Sequence, residues 1–176
     1  MAVITGTDHF TKQKTTVQDA NATMTFGRKQ HLDTFSPEHG IIFLIGFTGS
    51  KRAELAKLLG QKFSMESIAP EAIDSVDELE ELASAEGTII IVPQSAMRND
   101  DVRNALRAHG KVFYLMTELL HLAHNLGLDA EQGREQLGAD FVELEPHMLA
   151  SLHYILHGWK EPQELIDSVC EPLGLL

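Results

Sequence analysis

The chain has 176 residues, 43% of them hydrophobic, and a formal net charge of −12. That length suits one domain with room for a proper core, and no apolar stretch approaches the roughly 20 residues a membrane helix needs. The first 40 residues hold four acids and four bases, so the remainder carries the whole excess, 22 acids against 10 bases, which argues against a nucleic-acid partner.

Residues 1–38 are rich in Thr, Asp, Asn, Gln and Lys, with few apolar anchors and no sustained period, and read as a polar arm. The amino terminus has no basic flank and no long apolar segment, so no secretory signal is expected. A cytoplasmic location follows, and the single cysteine, Cys170, is compatible with it. Cys170 falls near the end of a helical pattern and reads as a buried structural thiol.

Residues 39–176 form the predicted domain. Ile41-Ile42-Phe43-Leu44-Ile45 is a continuous apolar run, the pattern of a buried parallel strand. It enters the turn Gly46-Phe47-Thr48-Gly49-Ser50-Lys51-Arg52-Ala53, after which Leu55, Leu58 and Leu59 recur at helical spacing. Strand, glycine turn and helix are the order a phosphate-binding loop requires, because loop N–H groups and the helix start together cradle phosphate oxygens. Against the working pattern G-x-x-x-x-G-K-[ST], Gly46 is retained, but Lys51, Arg52 and Ala53 stand where glycine, lysine and a hydroxyl residue belong.

The alternation continues. Residues 62–68 are expected as a short second strand, and 75–85 as an amphipathic helix with Val76, Leu79, Leu82 and Ala83 on one face. Thr88 to Val92 is a β-branched central strand. Asn99-Asp100-Asp101 opens a helix that closes on Arg107, His109 and Gly110, with charges suited to the macrodipole and glycine to the C-cap. Residues 111–116 read as a strand and 118–126 as a helix stopped by Gly127. Asp129 with Gln132 makes a capping box for a further short helix. A last strand is expected over 152–157, and Pro162 starts the terminal helix of Leu165, Ile166 and Val169. This is the pattern of an α/β doubly wound domain.

The blocks Ile42 to Ser50, Gly87 to Ile91 through Arg103-Asn104-Ala105-Leu106 to Leu115, and Pro146 through Tyr154-Ile155-Leu156 to Ile166 resemble the shikimate kinases in order and spacing. The resemblance implies a three-layer P-loop fold with a five-stranded parallel sheet, order 2-3-1-4-5, and helices on both faces. It also implies a shikimate-phosphorylating activity, and there the residues depart from the family. Arg52 replaces the lysine, and a planar guanidinium does not copy a compact ammonium. Ala53 has no oxygen for Mg²⁺, and Lys51 has a Cβ where glycine is expected. The Asp-x-Asp pair falls on Ala69-Pro70-Glu71, and the Gly-Gly-Gly turn on Pro93-Gln94-Ser95. Only residues 72–86 join the second and third strands, so the substrate-binding segment is absent. The 125–145 connection lacks the family's lid sequence, and Leu144 stands where an arginine is expected.

The resulting expectation is a catalytically inactive shikimate kinase-like protein, working through a protein partner or self-association, or binding phosphate without turnover. Gly46, Gly49, Ser50, Lys51 and Arg52 are its candidate phosphate-binding residues, with no catalytic residue and no metal ligand. The alternative is an active small-molecule kinase using Lys51 or Arg52, and only that reading requires ATP and Mg²⁺. His121 and His124 with Glu118 lie on one helical face at zinc spacing but read as solvated, and His153 and His157 fall on a strand where they cannot chelate together. Loss of substrate segment and lid predicts an apolar cleft above the strand ends, and Phe10, Val17, Met24, Phe26 and Phe35 of the arm are spaced to lie along such a groove.

Overall fold

A computed structural model describes residues 35–176, so the expected packing of the arm lies outside the described residues except at its end. The strands are β1 (Ile41–Ile45), β2 (Glu66–Ile68), β3 (Thr88–Ile91), β4 (Lys111–Met116) and β5 (Tyr154–His157). The helices are α1 (Arg52–Phe63), α2 (Val76–Ala83), α3 (Asp100–His109), α4 (Leu119–Asn125), α5 (Ala130–Ser151) and α6 (Pro162–Leu173), with a 3₁₀ turn at Gln94–Arg98. All strand pairs are parallel, in the order β2-β3-β1-β4-β5. The expected three-layer fold is therefore the observed one.

Strand periodicity sorts the core into two layers. Phe43, Ile45, Val112 and Tyr114 face one side and pack with Leu79 of α2, Val102 and Leu106 of α3, and Leu144 and Met148 of α5. Ile42, Leu44, Phe113 and Leu115 face the other, against Leu55 and Leu59 of α1 and Ile166, Val169 and Cys170 of α6. Cys170 is buried, as expected, and desolvation pushes its thiol upward. Phe35 joins this second layer, its ring lying where a Cβ on Gly40 would fall.

Local signals held at several ends. Ser75 caps α2 through Glu78 N–H, Asn99 caps α3 through Asp101 and Val102, and Gly127 takes φ +72° after α4. Two expectations need correction, the second strand and the helix after Asp129. The strand expected over 62–68 is only Glu66–Ile68, because Lys62 and Phe63 complete α1 and Ser64 ends it at φ +56°. Gly110 is the C-cap of α3, as expected, its N–H donating to the Leu106 carbonyl from extended backbone (φ −166°); a Cβ there would lie 2.6 Å from the Ile41 carbonyl oxygen and 2.8 Å from the Phe43 ring.

The largest difference is α5. Asp129 and Gln132 do form the capping box, but the helix runs 22 residues, straight through Pro146. Proline removes one helical N–H and orphans the carbonyl four residues back. That residue is Val142, 77% exposed, so the cost falls on the solvent side of the helix. Packing of Leu144 and Met148, both fully buried, holds the inner face.

Candidate functional site

The glycine turn leaves the carboxyl end of β1, where open α/β sheets bind ligands. Gly46 has φ +158°, and a Cβ on it would meet Ser50 Oγ at 3.0 Å, Arg52 Cδ at 3.1 Å and the Leu115 carbonyl at 3.2 Å. Gly49 has φ +93°, with Leu126 Cγ at 3.0 Å and the Leu122 carbonyl at 3.1 Å from the same construction. Asn125 donates to the Gly49 carbonyl at 2.9 Å, so the end of α4 braces the loop. Lys51 keeps the left-handed conformation that a glycine would supply, φ +62° and ψ +30°, at a cost of about 1 kcal/mol for a residue with a Cβ. The loop shape survives the loss of its second glycine.

Four of the five residues expected to hold phosphate, Gly49, Ser50, Lys51 and Arg52, line a cleft of about 330 Å³ with Thr48, Ala53, Glu54 and Asn125, and Gly46 lies behind them at the end of β1. Their donors are differently placed. Lys51 is exposed, at the mouth. Arg52 turns inward, and its guanidinium donates to the Val92 carbonyl at the end of β3. Desolvation lowers its pKa to about 10. The charge that would meet a phosphate is thus tied to backbone. Ser50 Oγ is buried and without a hydrogen-bond partner. Ala53 faces solvent with no side-chain oxygen, and the acidic residue Glu54 lines the same cleft.

Beside the loop, the expected open apolar cleft is filled. Phe47 is only 4% exposed and stacks on Phe141 of α5, ring centroids 4.7 Å apart. Gln94 accepts from the Thr48 N–H at 3.0 Å and from its hydroxyl at 3.3 Å, and donates to Asp140 at 3.0 Å. Arg98 donates to Asp140 at 2.7 Å and to Glu143 at 3.0 Å. The Arg98 hydrogen bond holds the Glu143 carboxyl below its ordinary range, and the guanidinium itself is held above its own. Glycine loop, 3₁₀ turn and α5 therefore form one connected unit over the strand ends.

Sequence reasoning did not find this unit. Arg98 and its carboxylates lie 42 and 45 residues apart. The one available signal was the three-residue spacing of Asp140 and Glu143, which puts both on one helical face. The histidine readings resolve locally. His121 lies 4.0 Å from Glu118, both exposed, and among the described residues no three potential ligands gather at metal-binding geometry. His153 precedes β5 and accepts from the Val112 N–H, whereas the His157 ring lies against Trp159.

Among solved structures, the chain is similar to the shikimate kinase of Bacteroides thetaiotaomicron, with 17% identity and a TM-score of 0.67 over 77% of this chain and 99% of that one. It is similar to the shikimate kinase of Acinetobacter baumannii in complex with shikimate, with 16% identity and a TM-score of 0.66 over 76% and 92%. It is also similar to the YorR protein of Bacillus subtilis in complex with phosphorylated GDP, with 16% identity and a TM-score of 0.61 over 77% and 96%. The fold is that of the P-loop kinases. No family model and no curated protein matches the chain. Among the described residues, no helix is long and apolar enough to cross a membrane.

Proposed function

We propose that this chain is a P-loop kinase fold without phosphoryl transfer, working by binding a protein partner or a second copy of itself. The observation that carries this reading is the engagement of the loop's donors by the protein itself: the Thr48 N–H by Gln94 and the Arg52 guanidinium by the Val92 carbonyl. Phosphoryl transfer rests on donors and a metal ion preorganised toward developing charge. Ala53 offers Mg²⁺ no ligand, Glu54 opposes an anion, and Phe47, Phe141 and Gln94 fill the space beside the loop. Each missing electrostatic contact costs about 3 kcal/mol of transition-state stabilisation. Three independent losses correspond to a rate factor of about 10⁶.

A binding role has surface available to it. β5 is an edge strand of the sheet; its own Ile155 is 41% exposed, and Trp159 just after it 71%. Unpaired strand edges with apolar neighbours are the usual template for strand addition. A second reading, phosphate binding without turnover, is favoured by the buried and unpartnered Ser50 hydroxyl at the loop.

The test is a coupled ADP-release assay with Mg-ATP and shikimate. The expected outcome is no turnover above background. Rates on the order of 1–100 s⁻¹, those of ordinary kinases, overturn the reading.

A further inference from the structure

Two oxygen acceptors meet the glycine turn from one short segment. The Val92 carbonyl takes the Arg52 guanidinium. Two residues on, Gln94 Oε1 takes the Thr48 N–H at 3.0 Å and the Thr48 hydroxyl at 3.3 Å. The segment is stiff. The Val92 N–H is tied to the Leu44 carbonyl of β1 at 3.0 Å, Pro93 has its φ locked at −62°, and Gln94 opens the 3₁₀ turn.

The contact at Thr48 is not one that the fold demands. Thr48 is exposed, so water is able to serve its N–H without Gln94. The Gln94 amide is nevertheless held at both ends. Its Nε2 donates to Asp140 at 3.0 Å. A carboxylate only accepts and a backbone N–H only donates, so the carbonyl end of the amide must face the turn. Asp140 is itself held by Arg98 at 2.7 Å. A partly negative oxygen is thus set on an N–H of a loop whose shape suits phosphate oxygens.

The space around Thr48 fits the same account. Phe47 and Thr48 border both the 330 Å³ cleft and a small gap lined by Gln94, Asp140 and Phe141. That gap holds about 10 Å³, the lower limit for a single water. On the cleft side the Ser50 hydroxyl is buried without a partner, and Lys51 is exposed at the mouth. The turn therefore keeps a hydroxyl that the 92–94 segment does not engage, directly ahead of the 12-residue helix α1.

We propose that Gln94 is a displaceable plug. The glycine turn is a latent site for a phosphate-type oxyanion, and Gln94 Oε1 occupies its Thr48 donor until a ligand competes for it. This rests on the reading that the turn's donors are engaged by the protein itself. A site open in only a fraction of the molecules binds more weakly by the reciprocal of that fraction. Loss of the two Thr48 hydrogen bonds should therefore raise affinity about tenfold or more.

The test is calorimetric titration of the full chain with pyrophosphate, together with amide NMR, for the wild type and Gln94→Ala. Gln94→Met keeps the bulk of the side chain but neither hydrogen bond, and serves where Gln94→Ala fails to fold by its melting curve. The expected result is pyrophosphate binding at least about tenfold tighter in the Gln94 variant, with amide shifts centred on Thr48 to Lys51. Gln61→Ala, which removes an exposed side-chain amide from α1, is the control and should bind as the wild type does. Equal binding by the wild type and the Gln94 variant overturns the proposal and leaves the inactive reading standing. So does failure of the variant to saturate below about 10 mM, or shifts that lie outside the turn. ADP release by the wild-type chain with Mg-ATP and shikimate overturns both.

Discussion

Phe141→Ala tests whether α5 holds the glycine turn closed. The Phe47 ring is 4% exposed, and Phe141 covers it in a stack at 4.7 Å and 25°. A fully buried Phe→Ala change costs about 3–5 kcal/mol. Phe141 is only partly buried, so its own share is roughly half of that, near 2 kcal/mol, of which about 1 kcal/mol is the aromatic pair. The truncation should therefore destabilise the domain by about 2 kcal/mol and lower its Tm by roughly 4–8 °C. Urea unfolding followed by circular dichroism measures this, with an unchanged m-value as the sign that the unfolded state is not altered. A double-mutant cycle with Phe47→Ala should return a coupling of about 1 kcal/mol. A loss below about 0.5 kcal/mol, the scatter of ordinary surface changes, or no coupling, would refute the role given to α5.

Restoring the loop with Lys51→Gly, Arg52→Lys and Ala53→Ser should raise Mg-ATP affinity without turnover, because it frees the Val92 carbonyl and adds a metal ligand but leaves Phe141 and Gln94 in place; equal calorimetric titrations of both proteins would contradict this. Gly110→Ala should destabilise by about 2 kcal/mol or more in the same urea assay, since its Cβ would meet backbone oxygen at 2.6 Å despite an ordinary φ. Arg98→Gln should lower the Tm slightly at neutral pH, and the difference should fade in acid. Glu143 is held below its unfolded pKa, so its contribution is present above that value, near 4.5, and is lost as pH falls through the lower folded value. A wild-type-minus-variant Tm difference that is flat from pH 7 to about pH 3 would exclude the ion pair as its source.

Much of the fold was legible because its signals are short-range. Apolar runs marked β1, β3 and β4, an amphipathic face marked α2, Asn99-Asp100-Asp101 marked the start of α3, and the capping box at Asp129 marked where α5 begins. The candidate phosphate residues were legible too, since a strand, a glycine turn and a helix are contiguous and their spacing is readable directly. What such residues do with their side chains was not. Whether Arg52 reaches a ligand or the Val92 carbonyl depends on where β3 ends, 40 residues away. The length of α5 escaped because Pro146 reads locally as a helix breaker, and only burial of Leu144 and Met148 on the inner face, with Val142 toward solvent, offsets the lost hydrogen bond. The covering of Phe47 by Phe141 follows from the order of the strands. Periodicity and caps act over one or two turns of chain, whereas these contacts are made by elements that become neighbours only once the sheet is assembled.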